Sequence, residues 1–185
     1  MTSYENLATQ KEKAIALHLN LSIVPNSMDA PLLSKHLTFS KFLFRKLLAE
    51  EVGTNPICIS SDQNILLIQY CLYGSCSIKN AASQKTDTFK QAEYNIILLP
   101  KGETTLITPK GNCDLVHIYL SEAFFYRYVP QHYSTPLHNL KGIGKLFPKN
   151  LYLSPKLKNI LNEINLCDFG DHLKNLYTKA KIIEL

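Results

Sequence analysis

Apolar and polar residues alternate along residues 15–24, where Leu17, Leu19, Leu21 and Ile23 are separated by His18, Asn20 and Ser22. A period of two predicts a half-buried strand. Pro25-Asn26-Ser27 closes it, and Pro31 lies in the loop that follows. Residues 39–49 fit two periods, because Phe39, Phe42, Leu43 and Leu47 also mark a helical face. Their aromatic content and the neighbouring strands favour a strand. Short β-type runs then follow at 57–60, 65–73, 75–80, 94–99, 103–108 and 115–120. Turn-forming pieces separate them: Ser60-Ser61-Asp62, Asn80-Ala81-Ala82-Ser83, Pro100-Lys101-Gly102 and Pro109-Lys110-Gly111-Asn112. Many short strands joined by tight turns predict an antiparallel sandwich or barrel. The strand-helix alternation of a dinucleotide-binding fold is missing.

After Leu120 the period changes. Ser121 is placed to cap a short helix carrying Phe124, Phe125 and Tyr128, which Pro130 stops. A loop with Gly142 and Gly144 leads to Ser154-Pro155, an N-cap followed by proline at the first helical position. Leu157, Ile160, Leu161 and Ile164 fall at i, i+3, i+4 and i+7, the stripe of an amphipathic helix. Gly170 is placed to end that helix and Asp171 to cap the next, whose stripe is Leu173, Leu176, Tyr177, Ala180 and Ile183 or Leu185. So short a connection predicts an antiparallel helical hairpin. The last helix has no terminator after Ala180 and is still apolar at Leu185, which reads as the cut edge of a longer chain. The organisation expected is a β domain over residues 1–120 and a helical region over 121–185.

Composition narrows the class. The chain has 185 residues, 45% hydrophobic and 19% charged, enough to remove roughly 70% of its unfolded surface from water. Twenty Lys and Arg against fifteen Asp and Glu leave a net charge of +5, spread along the chain and not gathered into a basic patch. Residues 1–13 are polar and carry Glu5, Lys11, Glu12 and Lys13, unlike a secretory signal. No apolar run reaches the roughly 18 residues of a membrane span. A soluble cytoplasmic protein without a membrane partner is expected. Five cysteines, Cys58, Cys71, Cys76, Cys113 and Cys167, form no C-x-x-C pair and read as buried thiols of a reducing compartment.

Chemistry-bearing motifs are sparse. There is no phosphate-cradling Gly-rich loop ending in Lys-Ser or Lys-Thr, no H-E-x-x-H and no G-x-S-x-G. Pro100-Lys101-Gly102 between two strands resembles the P-x-G turn of the cupin barrel. Metal-binding cupins carry a histidine shortly after that glycine, where this chain has Thr105, and residues 75–80 contain no histidine. A first-row metal wants converging imidazole or carboxylate donors, so no metal, no cofactor and no catalytic set is expected. Among six histidines, His117 stands out because Leu115, His117 and Tyr119 share one strand face opposite Val116, Ile118 and Leu120. That face reads either as a solvent-facing surface or, with Gln69 or Tyr70, as the lining of a polar-aromatic cavity. The helical stripe Leu157, Ile160, Leu161 and Ile164 and the stripe that starts at Leu173 read either as core packing against the barrel or as a subunit interface, and both hold if the stripes are wide enough.

The order of these elements resembles the N-terminal sensor half of AraC-type transcription regulators, most closely the siderophore-regulator-like branch. The likeness is carried by Leu67-Ile68-Gln69-Tyr70-Cys71-Leu72-Tyr73-Gly74, by Tyr94-Asn95-Ile96-Ile97-Leu98-Leu99-Pro100 and by Val116-His117-Ile118-Tyr119-Leu120, with residues 173–185 similar to the helix that leads into the DNA-binding half. The resemblance implies a cupin-like antiparallel β-barrel that binds a small-molecule effector; it carries over no ligand residue, since such pockets are built from variable side chains, and the candidate ligand-binding residues Gln69, Tyr70, His117 and Tyr119 come from the strand faces. It further implies a hairpin that pairs two copies into a homodimer, and no enzyme. DNA would be read only through a helix-turn-helix domain absent from these 185 residues. The alternatives from the residues are a stand-alone metal-free cupin-like enzyme, motivated by the P-x-G turn and the His117 face, and a carbohydrate-binding module, motivated by the Tyr-rich strands.

Overall fold

The computed structural model describes residues 21–25, 33–39, 42–49, 56–80, 86–129 and 144–185. Their strands are β1 (Leu21–Pro25), β2 (Leu33–Phe39), β3 (Phe42–Ala49), β4 (Ile57–Ser61), β5 (Ile65–Asn80), β6 (Thr86–Lys90), β7 (Glu93–Leu99), β8 (Thr105–Ser121), β9 (Gly144–Lys145) and β10 (Leu151–Tyr152). The helices, here α1 (Glu122–Tyr128), α2 (Pro155–Leu166) and α3 (Asp171–Glu184), lie after the main strands. Only the end of the strand expected over 15–24 falls within the described residues, as β1, and the loop expected at Pro31 lies outside them.

Every pairing is antiparallel, and two long strands organise the sheet. Residues 65–71 of β5 pair with β7 on one side and with the end of β8 on the other, and β8 continues there to β3 and β2. Residues 75–79 of β5 pair with β6, while the start of β8 pairs with β4, which carries β1. The long strands therefore belong to two half-sheets. Buried residues of both halves, including Ile57, Ile78, Phe89 and Ile107 from one and Leu67, Ile97, Leu115 and Tyr119 from the other, form a single cluster between them. Among the described residues no ladder joins the outer strands of the two halves, so the shell is barrel-like and open.

The corner is made by a bulge. The register steps from Cys71↔Leu115 through Tyr73↔Asp114 to Ser75↔Lys110. Gly74 and Gly111 both take positive φ there, 73° and 64°. A Cβ on Gly74 would stand 2.2 Å from the Asn112 carbonyl oxygen, whereas one on Gly111 would meet nothing within 4 Å. The bulge also shifts the pleat of β5 by one residue: Ile65, Leu67 and Cys71 face the inner cluster before it, Cys76 and Ile78 after it. Pro109-Lys110-Gly111-Asn112, expected as a turn between strands, is instead the bend of one strand, because the same glycine chemistry serves a turn and a bulge.

The opposite face of the first half-sheet is covered by helices. Leu66, Ile68, Tyr70, Val116, Ile118 and Leu120 pack with Phe124, Phe125, Ile160, Leu161, Ile164 and Ile182. Ser121 and Ser154 cap α1 and α2, each accepting the backbone N–H three residues on at 3.2 Å. Helix α2 ends at Leu166 with Cys167 as its cap, and Gly170 occupies the N-cap of α3, so Asp171 lies one position inside the helix it was expected to cap. The hairpin is antiparallel: Lys181 reaches back to Glu163 at 2.6 Å and Lys156 to Glu184 at 3.8 Å, while the Tyr177 hydroxyl donates to Glu163 at 3.2 Å.

The two α-helical stripes have different fates. Ile160, Leu161 and Ile164 of α2 are buried on the sheet and Leu157 is half-buried, so these side chains serve the chain's own core. That leaves α2 little apolar surface for the subunit interface considered for it. Among the described side chains of α3 the buried ones are Thr178 and Ile182; of the expected stripe, Leu173, Leu176, Ala180 and Ile183 face solvent, while Tyr177 and Leu185 are half-buried.

Replacing Gly74 by alanine is expected to cost at least about 2 kcal/mol in urea unfolding, because strained φ and steric overlap coincide. Gly111→Ala, with strain alone, should cost roughly 1 kcal/mol. Leu161→Ala should cost about 2–5 kcal/mol by the same measurement, while Leu176→Ala should stay within about 0.5 kcal/mol of wild type.

Candidate ligand site in a buried polar row

Within the first half-sheet the register lines up five nitrogen-bearing residues on five neighbouring strands. Asn95 of β7 stands opposite Gln69 of β5, Gln69 opposite His117 of β8, His117 opposite Arg45 of β3, and Arg45 opposite His36 of β2. Asn95, Gln69 and His117 are each 0% exposed. Leu67 and Cys71 flank Gln69 on the inner face, and Leu115 and Tyr119 flank His117 there. The pleat therefore turns Gln69 and His117 toward the space between the half-sheets. Amides and imidazoles in that position cost free energy unless they are hydrogen-bonded.

The bonds they make are uneven. His117 Nδ1 lies 3.0 Å from the Tyr119 hydroxyl, their rings meeting edge to face at 5.8 Å between centroids. Gln69 Nε2 donates to the Tyr70 carbonyl at 3.4 Å and to Cys76 Sγ at 3.5 Å. The carbonyl oxygen of Gln69, Oε1, is buried and has no hydrogen-bond partner among the described residues. Asn95, by contrast, is fully used. Its Nδ2 donates to the Phe147 carbonyl at 3.0 Å and to Asn150 Oδ1 at 3.2 Å, and its Oδ1 accepts the N–H groups of Ile96 and Phe147. It holds the loop between β9 and β10 against the edge of β7, a positioning role.

Three thiols lie at the corner end of the same inner cluster: Cys71, Cys76 and Cys113. The hydrogen bond between Cys71 and Cys76 pulls the Cys71 thiol down from its ordinary range, against burial, and pushes the Cys76 thiol up, with burial adding to the rise. The Cys71 thiol is within donating distance of the carbonyls of Tyr73 and Gly74, both at 3.5 Å. Among the described residues no three His, Cys, Asp or Glu side chains converge as a metal-binding group. Thr105, at the position where metal-binding cupins carry histidine, is buried, and its Oγ1 has no partner among the described residues.

Of the four residues expected around a ligand, the structure brings three together. Gln69, His117 and Tyr119 share the inner face, and Gln69 stands directly across from His117. Tyr70 is on the other face. The pleat sends it under the helices, where it stacks on Tyr94 at 5.3 Å, and burial, with Tyr94 beside it, pushes its phenol well above the usual range. Between Gln69 and Tyr70, the alternatives left open by the sequence, geometry selects Gln69 as the neighbour of His117. Sequence reasoning passed over Asn95, although an asparagine inside Tyr-Asn-Ile-Ile-Leu-Leu is unusual for a strand and signals a side chain with fixed partners. Away from the row, an open groove of about 530 Å³ lies at the turn between α2 and α3, lined by Asn159, Asn162, Glu163, Leu166, Phe169 and Tyr177 among others. No described helix is long and apolar enough to cross a membrane.

No protein-family model and no curated protein matches the chain. Solved structures similar to part of it include a cupin superfamily protein from Desulfitobacterium hafniense DCB-2, with 16% identity, a TM-score of 0.37, and coverage of 54% of this chain and 82% of that one. KdgF from Halomonas sp. gives 5% identity and a TM-score of 0.41, over 54% of this chain and 88% of that one. A cupin 2 conserved barrel domain protein from Leptotrichia buccalis gives 13% identity and a TM-score of 0.40, over 54% of this chain and 48% of that one. At these values the likenesses concern the fold alone and say nothing of activity or ligand.

Proposed function

We propose that this chain is the sensing half of an AraC-type transcription regulator. A small effector binds inside the β shell against Gln69, His117 and Tyr119, and the signal passes through the helical hairpin to a DNA-reading domain outside these residues. The observation that supports the reading most is the carbonyl oxygen of Gln69, buried without a hydrogen-bond partner among the described residues. It sits directly across from a buried imidazole that a tyrosine hydroxyl orients. Such a group lowers stability by itself, and an effector bearing an O–H or N–H would satisfy it. The reading describes a binder without chemistry of its own.

The relay follows from shared strands. Gln69 lies between Ile68 and Tyr70, and His117 between Val116 and Ile118; these four neighbours belong to the cluster that holds the helices. A ligand that displaces β5 or β8 at the inner face moves the seat of α1 and α2 by the same peptide units. The shift in population is limited by the ligand's differential affinity for the two arrangements.

The test is a thermal-shift screen of small polar metabolites on wild type and Gln69→Leu. A responding ligand should raise Tm increasingly above its Kd. The variant should fold, having lost an unsatisfied carbonyl, and bind that ligand roughly tenfold or more weakly. An undiminished response in Gln69→Leu, or stabilisation by oligosaccharides alone, contradicts the proposal.

A further inference from the structure

Three of the five cysteines, Cys71, Cys76 and Cys113, meet beneath the corner between the half-sheets. Two of them, Cys71 and Cys76, belong to one strand, five residues apart. On a straight strand such residues point to opposite faces and lie roughly 16 Å from each other. The bulge at Gly74 cancels both separations. Cys71 ends the inner face of the first arm of β5, Cys76 begins the inner face of the second, and their thiols are hydrogen-bonded to each other. Gln69 Nε2, donating to Cys76 Sγ at 3.5 Å, also holds the second thiol in place. Both thiols are buried, but the bend that covers them is itself at the surface: Tyr73 is 57% exposed, and Lys110, Gly111 and Asn112 are exposed as well.

We infer that Cys71 and Cys76 form a dithiol oxidation site, which hydrogen peroxide converts to a disulfide across the corner. Peroxide is small and uncharged, and a local opening of the surface bend admits it without unfolding the sheets. Cys71 is the attacking sulfur. Its hydrogen bond to Cys76 holds the thiol below its ordinary range, against burial and the carboxylates of Glu93 and Asp114. The Cys71 thiolate bonds one peroxide oxygen and the O–O bond breaks; the departing hydroxide takes up the proton that Cys71 released, which leaves water and a sulfenic acid. The Cys76 sulfur then attacks the Cys71 sulfur, the S–O bond breaks, and hydroxide leaves with the Cys76 proton as a second water. Two thiols have then given two electrons to the peroxide, and an added dithiol reverses the bond by exchange.

The bridge joins the two arms of β5 and takes away the thiol that accepts from Gln69. Neither an effector nor DNA is needed for this chemistry, which the chain's own thiols supply.

Peroxide treatment of the folded chain tests it, followed by alkylation of the remaining thiols in denaturant and tandem mass spectrometry of the tryptic peptide 47–79, which contains Cys58, Cys71 and Cys76. That peptide should carry a Cys71–Cys76 bridge with Cys58 alkylated, and dithiothreitol should restore three alkylated cysteines. The share of this bridge among all disulfides should be at least about threefold larger in the folded chain than in urea, because the fold holds the two sulfurs together. Cys76→Ser, its fold checked by far-UV circular dichroism, should stop at a Cys71 sulfenic acid that dimedone captures, and Cys113→Ser should leave the bridge unchanged. Wild type with Cys71 and Cys76 both alkylated after peroxide, a bridge to Cys113 in their place, or the same mixture of bridges in urea as in the folded chain overturns the inference.

Discussion

At the corner of the shell the backbone of Gly74 lies so close to the Asn112 carbonyl that no side chain fits between them, and its φ of 73° suits glycine. Much else follows from that contact. It lets β5 and β8 turn together instead of continuing as one flat ribbon, so each strand contributes to both half-sheets. It also moves the pleat by one residue, and without that shift Cys76 and Ile78 would leave the inner cluster that they share with Leu67, Tyr119 and Phe89. A row of amide and imidazole groups on an unbent sheet would face water. Bent, the sheet encloses it.

Sharing strands between an inner polar row and an outer apolar layer links the two faces without any long chain of contacts. The inner face of β5 and β8 presents Gln69 and His117; the outer face, one residue to either side, presents the side chains on which Ile160, Leu161 and Ile164 rest. Packed interiors transmit small displacements because they have little free volume to absorb them. The hairpin is further tied by Glu163, which takes both Lys181 and the Tyr177 hydroxyl, and these partners hold its carboxyl below the usual range. That tie is present above the ordinary carboxylate pKa and fades as pH falls through the lowered value. It is exposed, so salt weakens it.

Much of this was readable from residue order. The alternation in 65–71, 94–99 and 115–120 marks strands whose two faces both find partners, and Ser121 and Ser154-Pro155 mark helix starts that the structure keeps. Other features were hidden for physical reasons. Strand β6, Thr-Asp-Thr-Phe-Lys, buries only Phe89 and shows almost no hydrophobic pattern. The bend at 109–112 carries the glycine of a turn, and nothing local distinguishes a reversal from a bulge whose partner strand bends with it. Helix α3 has two apolar faces, so its period gave the orientation of a stripe without saying which face meets the protein. That Gln69 and Tyr70 take opposite faces, with Gln69 on the side of His117 and Tyr119, was not legible, because the alternation of a strand assigns faces only once one residue's direction is known.

Native-state hydrogen exchange across the corner tests the central claim most directly. If β5 and β8 run unbroken through the bulge, the amides of residues 65–71 and 75–79 should open in one cooperative step, with a common free energy and a common denaturant dependence, together with those of 105–108 and 115–120. If the two arms of β5 open in separate steps with distinct free energies, the half-sheets are independent hairpins, and the enclosed row they are said to build does not exist as a unit.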